Sequence, residues 1–426
     1  MELNQELQEI RDGKRGETLK KILNTLVMYG EANDAKRMVK LTPGMGHTAM
    51  GTGPVTWAPV FDLLQELLDA GLVTGMPFTA DPLPYDPKVP ATVAQRLMFA
   101  YMYSCQNRSE REFLQLGLKN PTAYSCTCYM PEVGNTPRLG DILGWSESSA
   151  VSFANSVLGA RCNRNSCVLD LMNIILGYVP EFGLLTDDGR KADWIVEVRT
   201  ETKPEAQILG SAIGMKVVDK VPYIRGLDRW LGTELDQKTK DYLKDMGAAA
   251  ASNGAVGLYH VDGLTPEAAQ QGETLIREDA QIYVIDDREL QRVKDSYPCV
   301  WAEPEKEPEL CFIGCPQLSV DQLVSWTERL DRAITSAGRR TAAVPTVLTA
   351  APDVIASFRE RFPDSYKLLK RRKIILSYIC PLSYTANPLV QKTRIITCSN
   401  KLRTYSHARF HSEEELLSII AGRAGQ

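Results

Sequence analysis

The chain has 426 residues, of which 44% are hydrophobic and 24% charged, and its formal net charge is −4. This composition is typical of a globular protein with a sizeable core, and the length suggests two or three domains at roughly 150 residues each. The balance of charge argues against sequence-independent nucleic-acid binding, which needs a basic surface. No apolar run reaches the roughly 18 residues of a membrane span, and the start of the chain lacks a signal-peptide core, so we expect a cytoplasmic protein.

The N-terminal part is predicted to be mainly helical. Apolar residues recur at helical spacing over residues 4–29, where Gly13 and Gly16 are expected to break the helix in two. Further helices are predicted over 57–70, 92–104 and 146–176, the last interrupted by a polar turn at 161–166. A strand is predicted at 194–199, and another at 255–261 after a small-residue helix at 246–252.

From about residue 281 strands and helices alternate, which favours a parallel α/β domain. Strands are predicted at 281–285, 309–314, 344–348, 373–379 and 393–397. We therefore predict an α/β fold with mainly parallel sheets flanked by helices. The expected division is an N-terminal α/β domain (1–205), a middle α/β segment (206–280) and a C-terminal α/β domain (281–426).

The cysteines of strand ends and loops are the first candidates for chemistry. Cys315 and Cys380 each follow an apolar strand and precede a proline, at the edge where parallel sheets place functional groups. Two interpretations stay open for them: buried residues at strand ends, or thiolate ligands of one cluster. Cys126 and Cys128 form a pair in a polar loop, and a zinc site is only weakly supported there because no second Cys-x-x-Cys pair follows.

Polar residues that could hold an anionic substrate form four groups. Arg161 and Arg164 flank Asn163 and could clamp a carboxylate or phosphate, although a surface ion-pair turn is the alternative. His260 ends a strand, where a structural role is the alternative to catalysis. The remaining candidates are His47 with Thr48, in a Gly-rich turn, and the helical group Glu147, Ser148, Asn155 and Ser156.

Several blocks, in order along nearly the whole chain, resemble the large subunits of the aconitase X family. The blocks lie at 146–150, 153–161, 163–164, 177–184, 214–216, 247–256, 258–261, 314–316 and 397–405. The resemblance implies an aconitase-like fold and a hydro-lyase that removes water from a small hydroxy acid. It also implies an iron–sulfur cluster held by Cys126, Cys315 and Cys380, with one iron left open as a Lewis acid.

The resemblance further implies a separate small subunit that completes the active site, because the chain has no room for that part after the last block. Ser399 and Lys401, with His47, are the candidate catalytic residues within this chain. Activities known in the family are dehydration of cis-3-hydroxy-L-proline and of a phosphomevalonate. The stretch 41–53 matches its block poorly, so the substrate stays open between these and another hydroxy acid.

Two other functions remain as alternatives at this stage. The first is a differently metallated or non-catalytic member of the fold, in which Cys126, Cys128, Cys162 and Cys167 bind zinc or sense redox state. The second is a cluster-free isomerase or binding subunit.

Overall fold

The computed structural model describes residues 1–423. In the N-terminal part, Gly13 and Gly16 both adopt positive φ and separate the first two helices, as predicted. The helices are α1 (Gln5–Arg11), α2 (Glu17–Glu31), α3 (Ala58–Asp69), α4 (Val93–Met102), α5 (Gln106–Leu116), α6 (Ser148–Ser156) and α7 (Cys167–Leu176). The strands are β1 (Met38–Lys40), β2 (Gly46–Thr48), β3 (Phe78–Ala80), β4 (Ile142–Leu143), β5 (Arg161–Cys162) and β6 (Tyr178–Pro180).

The middle part is a parallel sheet with helices packed on it. Its strands are β7 (Ala192–Val198), β8 (Pro222–Arg225), β9 (His260–Val261) and β10 (Ile276–Ile285), in the order β10-β7-β8-β9. Its helices are α8 (Ala206–Val217), α9 (Asp228–Leu231), α10 (Gln237–Asn253), α11 (Pro266–Gln271) and α12 (Asp287–Asp295). Strand β7 pairs with β8 and β10, so it belongs to this sheet.

The strand predicted over 255–261 is much shorter than expected. Gly254 lies so close to α8 that an added Cβ would come within 2.3 Å of the carbonyl oxygen of Gly214. The backbone N–H of Ala255 donates to the carbonyl of Val218 rather than to a neighbouring strand. Ala255 thus bonds to the end of α8, and pairing with strand β8 begins only at His260.

The C-terminal part is a five-stranded sheet whose neighbouring strands all run parallel, in the order β13-β12-β11-β14-β15. Its strands are β11 (Leu310–Ile313), β12 (Thr346–Thr349), β13 (Ile375–Ser377), β14 (Ile395–Thr397) and β15 (Arg409–Phe410). Its helices are α13 (Val320–Ser336), α14 (Pro352–Arg361), α15 (Pro363–Arg371), α16 (Pro381–Thr385), α17 (Asn400–Tyr405) and α18 (Glu413–Ile420). The predicted α/β class with mainly parallel sheets is confirmed.

Two large apolar cores hold these layers together. One contains the N-terminal helices and includes Phe61, Leu64 and Tyr124. The other is continuous from α6 through the middle sheet to the C-terminal sheet. Within residues 1–423, none of the helices is both long and apolar enough to cross a membrane.

Candidate functional site

Cys126, Cys315 and Cys380 come together at one edge of the C-terminal sheet. Cys315 follows β11 and Cys380 follows β13, and both strands pair in parallel with β12. Their carboxyl ends therefore share an edge. Cys126 arrives from the N-terminal part, where the backbone N–H of Ser125 donates to the carbonyl of Ala80 at 2.7 Å.

The three cysteines line one cavity of about 100 Å³, which we call the three-cysteine cavity. Cys126 and Cys380 are partly exposed, whereas Cys315 is buried. The cavity thus combines thiols with charged groups from the N-terminal part and from the end of β14. Its other lining residues are Asp81, Pro82, Glu147, Gly314, Pro316, Gln317, Ile379, Pro381, Leu382 and Lys401.

Lys401 and Glu147 form a buried ion pair on the wall of this cavity. The Lys401 ammonium donates to a Glu147 oxygen and lies 3.4 Å from the hydroxyl of Ser148. The second Glu147 oxygen accepts from Ser149 at 2.7 Å and from the backbone N–H of Ala150 at 2.6 Å, capping α6. Burial disfavours both charges, but their mutual attraction outweighs it, so the pKa of Lys401 is raised and that of Glu147 is lowered.

His47 and Asp81 face each other with unpaired atoms. His47 is fully buried, and its Nδ1 lies 2.9 Å from the hydroxyl of Thr79. Its Nε2 lies 3.4 Å from an oxygen of Asp81, but not in hydrogen-bonding geometry. Neither atom has a hydrogen-bond partner among the described residues. A buried polar atom without a partner is costly, so the Asp81 oxygen on the cavity wall is a candidate contact for a molecule that binds there.

The pKa values of this pair both depart from the ordinary range. Burial raises the pKa of Asp81 to about 6, although its side chain remains 23% exposed. Burial works to lower the pKa of His47, but Cys128 and Asp81 together outweigh that effect and raise it well above the ordinary value. A proton therefore favours the imidazole over the carboxylate.

The three thiols are neutral in the bare cavity. Burial raises the pKa of Cys126, of Cys380 and of Cys315, the last to about 12. The Lys401 ammonium acts in the opposite direction on Cys126 and Cys315. A thiophilic metal that displaces these protons would replace lost solvation with metal–sulfur bonds.

Thr48 supports the site through a hydrogen bond to the buried carboxyl group of Asp170. Its hydroxyl donates to Asp170 at 2.8 Å, and the backbone N–H of Ala49 donates to the other Asp170 oxygen at 2.8 Å. Ser146 also donates to that carboxyl group. Asp170 thus joins the turn after His47 to the segment before Glu147.

The structure does not bring the predicted arginine clamp to the three-cysteine cavity. The guanidinium of Arg161 bonds to Asp187 and, at 3.1 Å, to the carbonyl of Leu185. Asn163 holds the turn 182–184 through its side-chain amide. Arg164 is exposed and packs beside Gly257. The expectation that these residues face the cysteines is therefore wrong, because nearby turns occupy the first two.

Asn155, Ser156 and His260 also lie outside the cavity lining. Asn155 donates to the carbonyls of Cys162 and Gly257, both at 2.8 Å, and the Ser156 hydroxyl accepts from a backbone N–H at 2.9 Å. His260 Nε2 lies 2.8 Å from a backbone carbonyl. These three buried groups support the backbone around the middle sheet, and their contact with a substrate stays a prediction.

Ser399 is likewise engaged by the fold. Its hydroxyl donates to the carbonyl of Cys315 and accepts from the backbone N–H of Leu402 at 3.1 Å, capping α17. A hydroxyl that already donates one hydrogen bond and accepts another is poorly suited to take a proton from a substrate. In this structure Ser399 joins α17 to the cysteine turn, and its catalytic role stays a prediction.

The alternative set of four cysteines does not form one site. Cys128 and Cys162 are fully buried in the larger core, whereas Cys167 packs against the N-terminal core. Over residues 1–423, no three or more His, Cys, Asp or Glu side chains are arranged to hold a metal ion. A cluster places different demands on its ligands, because its cysteines bind different iron atoms.

Two residues of the cavity escaped prediction from sequence. Asp81 directly follows β3, a position that favours function, but five prolines nearby indicated only a loop. Gln317 lies two residues after Cys315 and carries no motif of its own. Its contacts come from distant parts of the chain, so no local signal could have identified it.

Comparison with known proteins relates both the sequence and the fold to the aconitase X family. Residues 1–188 match the family model for the aconitase X first domain, and residues 192–295 match that for the second domain. The fold resembles a solved structure, the holo form of aconitase X from Thermococcus kodakaraensis. The TM-score is 0.80 and the identity 26%, and the match covers 98% of this chain and 99% of that one.

Curated relatives carry the names of dehydratases. A phosphomevalonate dehydratase large subunit from Thermococcus kodakarensis is 30% identical over 78% of this chain and 77% of its own length. The protein of that name from Methanothermobacter thermautotrophicus is 32% identical, over 73% of this chain and 72% of its own. A cis-3-hydroxy-L-proline dehydratase from Pseudomonas aeruginosa is 25% identical over 82% of this chain but only 57% of its own length.

Fold and relatives together define the class, which is that of the α/β dehydratases. The expectation of an enzyme of this class is confirmed. Within the class, the two family models and the relatives at 30% identity or more show that the chain belongs to the aconitase X family.

Proposed function

We propose that this chain is the large subunit of an iron–sulfur hydro-lyase that removes water from a small hydroxy acid. The observation that carries the proposal is the meeting of Cys126, Cys315 and Cys380 on one cavity. The ion pair of Lys401 with Glu147 lines the same space. Thiols beside a buried cation suit a site that binds both a metal cluster and an anion.

The donor set of the cavity fits an iron–sulfur cluster. Three cysteines are the soft ligands that such clusters prefer, and three leave one iron without a protein ligand. Because burial raises the pKa of all three thiols, a metal that binds them must displace their protons, and its binding should weaken as the pH falls. When bound, the cluster would supply a Lewis-acidic iron that polarises a substrate hydroxyl group.

Lys401 is proposed to bind the carboxylate of the substrate. Its ammonium remains charged because Glu147 compensates it, and its surroundings are nearly dry, which strengthens its attraction for an anion. Glu147 in turn fixes the lysine in position, because α6 holds the carboxylate at its N-terminus. The same pair keeps the buried charge neutral overall before substrate binds.

His47 and Asp81 are proposed to handle a proton at the other side of the cavity. Asp81 lines the cavity, and its free oxygen faces Nε2 of His47. A group with a pKa near 6 lies close to the operating pH, which suits proton transfer. A substrate or water group that contacts the Asp81 oxygen from the cavity would satisfy that oxygen.

A separate small subunit is proposed to close the site. The similar archaeal proteins are named large subunits. The hydroxyproline enzyme from Pseudomonas aeruginosa is matched over only 57% of its length, so it carries a further part. A protein that supplies this part would exclude water from the cavity and strengthen its electrostatics.

The choice of first substrate follows from the relatives. The phosphomevalonate enzymes from five archaea match at 28–32% identity over similar lengths, compared with 25% for the Pseudomonas aeruginosa hydroxyproline enzyme. We therefore propose phosphomevalonate as the first hydroxy acid to assay and cis-3-hydroxy-L-proline as the second.

Anaerobic purification with metal analysis tests the cluster. The chain is expected to hold iron and acid-labile sulfide together and to lose both in air. Serine in place of Cys126, Cys315 or Cys380 should remove most of both elements. Cys299→Ser is the matched control, because that thiol is exposed and lies outside the cavity lining. Zinc without sulfide, retained in Cys315→Ser but lost in Cys128→Ser, would instead indicate the differently metallated alternative.

A further inference from the structure

Gln317 occupies the centre of the three segments that carry the cavity cysteines. Its side chain is 1% exposed, and it lies two residues after Cys315. A buried amide must satisfy one acceptor and two donor positions, so its partners show what it holds. Those partners lie on the other two cysteine segments.

The side-chain amide of Gln317 bridges the segments that lead to Cys126 and Cys380. Its Oε1 accepts from the hydroxyl of Ser125 at 3.0 Å, and Ser125 directly precedes Cys126. Its Nε2 donates to the carbonyl of Tyr378 at 3.0 Å, two residues before Cys380. One planar group therefore fixes both neighbouring segments relative to the turn on which it lies.

The backbone of Gln317 is fixed as well. Its carbonyl accepts from the buried ammonium of Lys244 at 3.0 Å, which joins the turn to α10. The residue is thus fixed to α10 through its backbone carbonyl and to the segments of Cys126 and Cys380 through its side-chain amide.

Two further hydrogen bonds at the cysteine segments each act on one segment at a time. The backbone N–H of Cys380 donates to the carbonyl of Leu83 at 2.9 Å, which ties that cysteine to the stretch after Asp81. The Ser125 hydroxyl also contacts Thr127 at 3.1 Å, within its own loop. Neither contact joins the Cys126 segment to the Cys380 segment, whereas the Gln317 amide does.

We infer that Gln317 is a positioning residue that sets the mutual spacing of Cys126, Cys315 and Cys380 so that all three sulfurs reach one cluster. The inference rests on the proposed iron–sulfur function. Leucine at this position would keep much of the volume but remove both side-chain bonds. Glutamate would keep the acceptor but place a second carbonyl-like oxygen against Tyr378, where no donor remains.

The test compares Gln317→Leu and Gln317→Glu with the wild-type chain. Iron and acid-labile sulfide are measured per chain after anaerobic reconstitution, together with the rate of cluster loss to an iron chelator and the midpoint potential. We expect cluster loss about tenfold faster in Gln317→Leu, the order found when supporting hydrogen bonds of metal ligands are removed. Gln95→Leu is the matched control. The side-chain amide of Gln95 is also buried and forms hydrogen bonds through both its oxygen and its nitrogen, but it lies on α4.

Two further measurements separate the positioning role from simple instability and from failure of the proposed function. Ser125→Ala should have a milder effect, and Ser125→Ala combined with Gln317→Leu should be no worse than Gln317→Leu alone, because both remove the same bond. In the metal-free chain, a short thiol-to-thiol crosslinker such as dibromobimane should join Cys315 to Cys380 several-fold faster in the wild type than in Gln317→Leu.

The outcomes are distinct. A wild-type chain that takes up no cluster contradicts the proposed function, and the crosslinking rate still decides the role of Gln317. Wild-type rates of both cluster loss and crosslinking in Gln317→Leu, or equal losses in Gln95→Leu, would overturn the inference.

Discussion

Lys401 and Glu147 show how a single buried pair can serve both stability and binding. Their side chains are 8% and 6% exposed. Such a pair contributes little net stability compared with apolar residues, but removal of one partner leaves an uncompensated charge that costs roughly 3–5 kcal/mol. Sequence resemblance identified each residue, but it could not show that they pair, because the contact joins α6 to α17.

Lys401→Met is expected to destabilise the protein and weaken substrate binding, whereas Lys401→Met with Glu147→Gln should restore stability only. Loss of the charged contact with a substrate carboxylate should lower kcat/KM about 10- to 100-fold in the double variant. Urea unfolding and steady-state kinetics with the partner subunit measure the two effects. Arg161→Lys is the control, since its partner Asp187 lies outside the cavity, and it should leave kcat/KM unchanged. Normal kcat/KM in the double variant would contradict the proposed binding role.

Asp170 gives a pH dependence that belongs to the scaffold. Burial raises its pKa from 3.8 to about 7. Between these values the unfolded chain is ionised while the folded chain keeps its proton, so the contribution of Asp170 to stability is complete below pH 4 and is lost as the pH rises to about 7.

Asp170→Asn should therefore have a flatter profile of unfolding free energy against pH than the wild type over this window. The amide can still accept from Ala49 and Ser146 and donate to Thr48, so the fold should persist. The difference between the profiles should approach about 1.4 kcal/mol for each pH unit of the shift. Urea titrations of both proteins from pH 4 to pH 8 measure it, and parallel profiles would show that Asp170 ionises normally.

At the scale of elements, helices were easier to predict than strands. The helix predicted over 57–70 is α3, and the one predicted over 92–104 is α4. The strands of the site are only three or four residues long, too short for a period to be reliable. Their common edge was still predictable, because alternation of strand and helix indicates a parallel sheet.

The turn after β11 carries the strictest backbone requirement of the site. Gly314 has φ +108°, and an added Cβ would lie 2.6 Å from the carbonyl oxygen of Thr349. Thr349 also donates its hydroxyl to the carbonyl of Gly314. The turn that presents Cys315 therefore depends on close contact with the end of β12.

Gly314→Ala is expected to lower the free energy of unfolding and to reduce cluster content at the same time. Left-handed strain and overpacking together should cost about 2–5 kcal/mol. Gly338→Ala is the matched control, because Gly338 also has positive φ but no atom lies within 4 Å of an added Cβ. It should show the strain alone and normal iron content. Urea unfolding of the apo proteins and iron analysis of the reconstituted ones compare Gly314→Ala with Gly338→Ala. Equal effects of the two substitutions would show that the turn at Gly314 is not specifically required for cluster binding.

At the scale of the whole molecule, the sequence predicted which cysteines meet better than where the polar side chains point. Cys126, Cys315 and Cys380 were named as one ligand set through resemblance to a family, and they share a cavity. Arg161 and Arg164 were named as a clamp from their spacing around Asn163, but they lie outside the cavity lining. A motif specifies which residues are present, whereas the direction of a side chain depends on its bonding partners. The partner of Arg161 is Asp187, which lies outside the motif. Asp81 and Gln317 matter through contacts between separate layers, which no local pattern contains.

The isolated chain, with its cluster reconstituted, is expected to dehydrate its substrate at least about 100-fold more slowly than the complex with its small subunit. The physical reason is incomplete acid–base assistance in the isolated chain: Ser399 is occupied and Lys401 is charged, which leaves the proposed Asp81–His47 pair without a group from the small subunit, and general acid–base assistance is worth about 10²–10⁴ in rate. The measurement is turnover of phosphomevalonate by the chain alone and after addition of the proposed small subunit. Iron and sulfide content should be equal in both samples, so that a lost cluster cannot explain the difference. Full turnover by the chain alone would refute the two-subunit proposal, and loss of that turnover in Asp81→Asn would then assign the proton acceptor to this chain.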